Sequence, residues 1–434
     1  SADSELSAAQ AMDYSPVAPG EQVPLLPFAR YFLGAHPSHW RQFFMLLPLE
    51  IRADVPTASI EAWLQTLPEN HESLRMAFAP DHAVLLAEPQ KITLHCRDFA
   101  DTVEQTSLLR KAVAEITEGL DAACGKTLGA MLARQGEKRF LLLVGHHLAL
   151  DALSLETLRQ GLLHYCRTGK AQCEAHGLAL RAREVERLRA AGVFPSEEQR
   201  ALWRAACAEP CEPLRALLPQ SRDRGRDSAA SRARLSAQLE GFRQEYSTDA
   251  KADLLAALAC ALHAQGQKAA VRVTLESHGR DELLSGFDAS RSLGWFTAVC
   301  PMPLGPSLNY AQAREALGPW LAQHFSPENC NAYGYLRQEN PAEFGYAAQI
   351  AFNYLGRLTG QPDEEASLML SALAPGLIPE LVHADMEADA PLELSVFFDQ
   401  QGILHLGAWF SPQCLPQDWV SGLLQSWLAA LKTL

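Results

Sequence analysis

Two long stretches of alternating strand and helix patterns dominate this sequence, and an arginine- and alanine-rich segment separates them. In the first stretch, QFFMLLPLEI is typical of a buried strand, IEAWLQTL of a helix, and AVLLAE, ITLHC and FLLLV of further strands. The second contains a helical KADLLAALACALHAQG and strand-like AAVRVTLE, GWFTAVCPM and AAQIAFNYLG. Such alternation constrains the chain to an α/β fold, and the two stretches predict two halves of similar style.

The predicted domain organisation follows these boundaries. Residues 1–22, which end in SPVAPGEQ, predict a linker, and residues 23–168 form the first α/β subdomain. Residues 169–234, with the helical REVERLRAAG, predict a connecting region, and residues 235–434 form the second subdomain. Within the last part, LELSVFFDQQGILHLGAWF predicts a hairpin that turns at Gly402, and DWVSGLLQSWLAALKTL predicts a closing amphipathic helix.

Composition excludes several function classes. The 37 Lys and Arg against 51 Asp and Glu give a net charge of −14, which disfavours nucleic acid as a partner. No apolar run approaches the roughly 18 residues that a membrane span needs, so we expect no membrane contact and a cytoplasmic location. The 10 cysteines are scattered along the chain, and we expect free thiols and no metal site.

The segment GHHLALDALSLETL carries the sharpest local signal. A strand ending at Val144 delivers His146 and His147, and Asp151 follows where a helix begins. Histidine exchanges protons near neutral pH, and strand ends next to helix starts are common positions for reactive side chains. Taken alone, the HHxxxD pattern also fits a buried structural pair, and a metal site is the weakest reading because a third ligand is missing.

At this motif the chain resembles the condensation-domain superfamily of nonribosomal peptide synthetases. VPLLPFARYFL, HWRQ and HESLRMAF look like the opening segments of that superfamily. LESHGRDEL, SLGWFTAVCPM, NAYGYLR and AFNYLGRL look like its epimerization branch, and GWFT with FNYLG is the discriminating pair. The resemblance extends from about Val23 to the C-terminus.

The resemblance implies two chloramphenicol-acetyltransferase-like halves arranged as a V-shaped pseudo-dimer with a cleft between them. It also implies inversion of the α-carbon of an aminoacyl or peptidyl thioester carried on the phosphopantetheine arm of a peptidyl carrier protein. The expected partners are that carrier domain and neighbouring synthetase domains. We expect a monomeric domain with no cofactor of its own, since the carrier supplies the phosphopantetheine.

The resemblance also assigns roles to individual residues. His147 and Glu276 would flank the α-carbon as acid and base, with pKa values drawn toward neutrality, and which of them removes the proton stays open. Asn353 and Tyr354 would orient the thioester or stabilise the enolate. Without the resemblance, the favoured interpretation of Glu276 is a solvated carboxylate that closes a strand. The residues expected to support the site are His146, Asp151, Ser154, Gly294 and Trp295. Phe296 is expected to pack beside them. Gly334, with Tyr333, is expected to allow a close backbone approach.

Departures from the branch pattern leave alternatives open. They are Arg41 for a usual Asn, Leu155 for Trp, Ser277 for Gly, Cys300 for Tyr, Asn331 and Ala332 in a glycine-richer stretch, and residues 357–359 for Gln-Phe-Asp. One alternative function is a condensing transferase in which His147 assists amide formation, although such domains usually carry glycine where Ala152 stands. The other is a noncatalytic carrier-docking domain of the same fold.

Overall fold

The computed structural model describes residues 14–222, 228–242, 249–358, 364–369 and 376–433. The first half of the chain forms strands β1 to β7 and helices α1 to α4. In chain order they are β1 Gln22–Pro24, α1 Pro27–Ala35, β2 Phe44–Ile51, α2 Thr57–Asn70, β3 Met76–Phe78, β4 His82–Leu85, β5 Leu94–Phe99, α3 Gln105–Glu118, β6 Leu128–Gln135, β7 Lys138–His146 and α4 Ala152–Thr168.

Three helices connect this half to the next. The elements that follow α4 are α5 Leu178–Ala190, α6 Glu197–Ala208, α7 Pro219–Arg222, β8 Ala233–Leu239, α8 Ala250–Ala264, β9 Val271–Ser277, β10 Ala298–Leu304, α9 Tyr310–His324, α10 Pro327–Glu339, α11 Pro341–Phe344, β11 Ile350–Arg357, β12 Ala366–Leu368, β13 Leu392–Phe398, β14 Leu404–Phe410 and α12 Gln417–Leu431. The predicted α/β fold class is confirmed, with one main sheet in each half. No helix of the described residues has the length and apolarity to span a membrane.

Most of the second half of the chain forms a unit that we call the second lobe. It is built on a mixed sheet in the order β10-β9-β11-β13-β14-β8. Helix α8 contacts α9 and α12 behind this sheet and is apolar around most of its circumference, because neighbours cover it on several sides. The Trp427 indole of α12 donates a 2.9 Å hydrogen bond to the Leu254 carbonyl of α8, which fixes the two helices. The predicted β13–β14 hairpin forms, and Gly402 takes φ 81° at its turn.

The first lobe is built on a sheet in the order β12-β2-β7-β6-β5, so a strand from the second half of the chain completes it. β12 pairs antiparallel with β2, and a single bridge joins Phe43 to Val382. Leu293, Trp295 and Phe296 are also buried in the first lobe's core. The first lobe therefore extends beyond the predicted range 23–168.

The connecting region is shared between the two cores. Leu178 and Leu180 of α5 pack in the first lobe, whereas Trp203 of α6 packs in the second. The buried Arg181 of α5 forms a 2.7 Å ion pair with Asp281, which ties this region to the segment after β9. The described helices α5 and α6 of this region therefore join the two lobes.

The prediction that residues 1–22 form a linker is wrong for residues 14–22, the part of this segment that the structure describes. Val17 is buried in the first lobe, and the Tyr14 hydroxyl donates a 2.6 Å hydrogen bond to the Ser285 carbonyl. Residues 14–22 thus pack on the molecule, because their apolar side chains have a core to cover. Residues 1–13 of the expected linker lie outside the described part.

The strand expected over GWFTAVCPM is shorter than predicted, because β10 begins only at Ala298. Gly294 has φ +154°, its N–H donates to Ser154 Oγ at 3.0 Å, and its carbonyl accepts from the same hydroxyl at 3.1 Å. The Phe296 N–H donates to Asp151 at 3.1 Å. Side chains from the first lobe thus form hydrogen bonds with the backbone of Gly294 and Phe296. In a β-strand, these backbone groups would pair with a neighbouring strand instead.

Candidate active site

A cavity of about 740 Å³ lies between the two sheets and is lined by residues from both lobes. His147 comes from the end of β7 in the first lobe, and Glu276 and Asn353 come from β9 and β11 in the second. Trp295, from the segment before β10, lies in the same wall. The structure therefore brings both residues of the expected acid–base pair to one enclosed space.

His147 is held between two aromatic side chains. Its backbone N–H donates to the Phe43 carbonyl at 2.9 Å, and its imidazole stacks on the Phe43 ring with centroids 5.1 Å apart and planes at 9°. The Trp295 ring lies against it at 4.2 Å. Nδ1 is buried and no side chain of the described residues bonds it, while the backbone of His147 and Leu150 interacts with the ring and raises its pKa. Nε2 is therefore the nitrogen available to the cavity.

This packing sets the charge of the imidazole. Loss of water around the ring lowers the pKa of His147 to about 4, and the nearby carboxylate of Asp151 only partly opposes this effect. The imidazole is therefore neutral at pH 7, and the expectation that its pKa is drawn toward neutrality is wrong for His147, because burial moves it below the ordinary value of 6.5. A neutral ring with a free Nε2 is competent to accept a proton.

His146 is fully buried and faces away from the cavity. Its Nδ1 accepts the Leu148 N–H at 3.0 Å, so Nε2 carries the proton and donates to the Trp40 carbonyl at 2.7 Å. Burial lowers the pKa of His146 to about 4, which keeps this tautomer neutral. These bonds fix the loop that presents His147, which is the supporting position that the sequence predicts.

Asp151 is the buried centre of a network that joins the two halves of the chain. It caps α4 by accepting the N–H and the hydroxyl of Ser154 at 2.9 and 2.8 Å. Arg280 donates to both carboxylate oxygens, at 2.7 and 3.1 Å. With the bonds from Ser154 to Gly294 and from Phe296 to Asp151, this network holds Trp295 against His147.

Glu276 lies on the cavity face of the second sheet. β9 and β11 pair in parallel as far as Leu275 and Phe352, and the next residue of each strand, Glu276 and Asn353, lines the cavity. Loss of water raises the pKa of Glu276 to about 7, and the carboxylate of Glu393 adds to the rise. At neutral pH a large fraction of this carboxyl group is protonated.

Charged groups of neighbouring elements surround this carboxyl. Glu393 of β13 also lines the cavity and forms a 3.4 Å ion pair with the buried Arg232. Asp389 raises the pKa of Glu276, whereas Lys251 of α8 lowers it. The balance leaves Glu276 near neutrality, where both of its protonation states are accessible.

Asn353 and Tyr354 are adjacent on β11 and therefore face opposite sides of the sheet. Asn353 lines the cavity, but Tyr354 packs toward the core of the second lobe, edge-on to Phe398 at 6.4 Å. The expectation that both residues reach the substrate is thus corrected for Tyr354. Gly334 allows α10 to approach α1, because a Cβ there would lie 2.9 Å from Pro27.

Several cavity residues were not anticipated from the sequence. Thr274 lies two residues before Glu276 on the same face of β9, and its hydroxyl is 2.6 Å from the Tyr346 hydroxyl. Arg337 of α10 and Glu393 also line the wall. Strand alternation could have identified Thr274, whereas Arg337 and Glu393 reach the cavity only through the tertiary fold.

A group of metal-ligand types, His39, His383 and Asp385, lies outside this cavity, with its possible ligand atoms within 4.8 Å of one another. The two imidazoles stack with centroids 4.1 Å apart and planes at 21°.

Comparisons with known proteins agree with this architecture. The sequence model of the condensation domain matches residues 21–314. Chondramide synthase cmdD of Chondromyces crocatus is 29% identical over 370 residues, which are 79% of this chain and 9% of that protein. Bacitracin synthase 3 of Bacillus licheniformis is 25% identical over 397 residues, which are 84% of this chain and 6% of that protein. The chain thus spans only a small part of each relative's length.

Solved structures share the fold. The epimerization domain from the third module of tyrocidine synthetase B aligns with a TM-score of 0.80 and 16% identity, over 97% of both chains. The condensation domain from Monacolin K polyketide synthase MokA aligns with a TM-score of 0.74 and 14% identity, over 95% of this chain and 97% of that one. At these identities the likeness establishes the fold and not the reaction.

Proposed function

The chain belongs to the condensation-domain superfamily of nonribosomal peptide synthetases, and on that premise we propose that it epimerises the α-carbon of a carrier-bound aminoacyl or peptidyl thioester. One observation carries the proposal. His147 and Glu276 face a single cavity from different lobes, and their pKa values are moved in opposite directions, to about 4 and about 7. A free base and a partly protonated acid therefore coexist at neutral pH.

Inversion of a stereocentre needs these two states at once. The thioester carbonyl makes the α-proton removable when a base is positioned and the enolate oxygen is stabilised. In the state with neutral His147 and protonated Glu276, His147 Nε2 takes the α-proton, and the Glu276 carboxyl returns its own proton from the opposite face. His147 ends as imidazolium and Glu276 as carboxylate, and the reverse reaction or proton exchange with water restores the starting state. Asn353 is the cavity amide available to donate to the enolate oxygen.

The thioester arrives with its phosphopantetheine arm, so the carrier protein supplies this group and the chain needs no cofactor of its own. The 740 Å³ cavity is of the size and largely apolar character that suits an enclosed small substrate. A carrier domain and adjacent synthetase domains are accordingly the proposed partners.

The decisive experiment follows deuterium from D2O into carriers loaded separately with the L and the D aminoacyl thioester. Wild-type protein should incorporate deuterium from either starting enantiomer and interconvert them. Glu276→Gln keeps one base and should exchange only the enantiomer whose α-proton faces His147, without inversion. His147→Gln should exchange only the other enantiomer.

His95→Gln, which changes an exposed imidazole, is the matched control and should behave as wild type. Exchange of both enantiomers by each single active-site variant would contradict the two-base mechanism. A wild-type protein that exchanges neither enantiomer on any loaded carrier would overturn the proposed function.

Condensation is the second candidate, and the match to the condensation-domain sequence model favours it. In that case His147 would assist an amine nucleophile at the thioester carbonyl, and Glu276 would not be required. Adding a loaded amine acceptor and measuring product mass separates the two reactions. Carrier binding without exchange and without amide formation would instead favour a docking domain.

A further inference from the structure

Arg337 is a cationic side chain in the cavity wall, and the described part of the chain gives it no acidic partner. It lies in the last turn of α10, and its guanidinium carbon is 3.8 Å from the ring centroid of Tyr31 and 5.5 Å from that of Tyr333. Across residues 14–222, 228–242, 249–358, 364–369 and 376–433, no carboxylate lies within ion-pair distance of it. Arg232, in the same cavity, is instead paired with Glu393.

An unpaired guanidinium at a partly enclosed site is unusual, because charges removed from water normally acquire a counter-charge. The tyrosine faces offset part of that cost through cation–π attraction, but they leave the N–H donors unused. The planar fork of arginine matches the two oxygens of a carboxylate or phosphate. The missing partner therefore has the chemistry of an oxyanion.

Arg337 lines the same cavity as the proposed reacting groups, and its charge acts on Tyr346, another residue of the wall, whereas Tyr333 is buried behind the wall. The Tyr333 ring is 6.1 Å from the Tyr346 ring, and the Tyr346 hydroxyl contacts Thr274. Thr274 precedes Glu276 by two residues on one strand face, a separation of about 6.6 Å. A ligand that fills this one cavity would therefore meet both Glu276 and Arg337.

We propose that Arg337 forms an anion-binding subsite of this cavity, which holds an oxyanion of the carrier-bound substrate. The oxyanion comes either from a carboxylate on the acyl group or from the phosphate of the arm. The identity of this ligand rests on the proposed function, whereas the unpaired charge does not.

Equilibrium binding of two matched ligand pairs tests the subsite and distinguishes the sources. The first pair is the aspartyl and asparaginyl thioesters of N-acetylcysteamine, which lack phosphate and differ only in side-chain charge. The second is alanyl phosphopantetheine and alanyl pantetheine. Wild-type protein should bind the charged member of one pair roughly tenfold or more tightly. Preference in the first pair identifies a carboxylate, and preference in the second identifies the phosphate.

Arg337→Gln should abolish this preference, and Arg337→Lys should retain only part of it because the fork is lost. Arg30→Gln is the matched control, since Arg30 is an exposed arginine of α1 that does not line the cavity, and it should keep the preference. A wild-type protein with no preference in either pair overturns the subsite, as does a preference that survives Arg337→Gln. Because binding is measured without turnover, absence of deuterium exchange would count against the proposed reaction and not against the subsite.

Discussion

The imidazole of His147 lies 4.2 Å from the indole of Trp295, so a side chain from the second half of the chain forms one wall of the histidine's environment. The Asp151 network fixes the backbone on both sides of this contact, through Ser154 on Gly294 and directly on Phe296. The protonation of His147 thus depends on how the two halves of the chain are joined.

Trp295→Phe should raise the pKa of His147 from about 4 toward 6.5, because a smaller ring admits water to the imidazole. NMR titration of labelled histidines measures the change. Trp320→Phe is the matched control, since Trp320 stacks on His324 at 4.2 Å. That variant should change His324 and leave His147 unaffected; an unchanged His147 in Trp295→Phe would refute the prediction.

Asp151→Asn should destabilise the fold by about 3–5 kcal/mol, because it leaves the guanidinium of Arg280 without its buried counter-charge. Urea unfolding provides the measurement. Asp98→Asn removes an exposed partner of Arg134 and should change the free energy of unfolding by no more than about 1 kcal/mol. Equal effects of the two substitutions would show that the Asp151 network is not a structural anchor.

Glu276→Gln should stabilise the folded state increasingly as the pH rises from 5 to 8. Folding raises the pKa of this carboxyl from about 4.5 to about 7, so wild-type protein binds an extra proton when folded and loses stability through that window. Glutamine does not titrate and avoids the loss, which is on the order of 2–3 kcal/mol at pH 8. A difference between the two proteins that does not vary with pH would contradict the raised pKa.

Glu393→Gln should lower the pKa of Glu276, because it removes a neighbouring negative charge that raises this pKa. The alkaline limb of the pH profile for inversion, which needs the Glu276 proton, should move to lower pH by roughly a unit. Glu315→Gln makes the same change of net charge at an exposed position of α9 and should leave the limb in place. An unmoved limb in Glu393→Gln would show that Glu393 does not influence Glu276.

The sequence predicted the strand ends that carry His147 and Glu276, because buried strands have strong periodic patterns and both residues follow directly from them. It did not predict the surroundings of these residues. Glu393 reaches the cavity through the pairing of strands that are distant in sequence, and Tyr354 was assigned to the site although alternation places it opposite Asn353. The backbone from Gly294 to Phe296 was expected to be a strand, since its contacts with Asp151 and Ser154 are invisible in a local pattern.

The pairing of β12 with β2 has a consequence for biosynthesis. The first lobe's sheet lacks its edge strand until the ribosome has made residue 368, so that lobe cannot complete its structure as it emerges. A nascent chain halted before this strand should expose the edge of β2 to chaperones and to other chains.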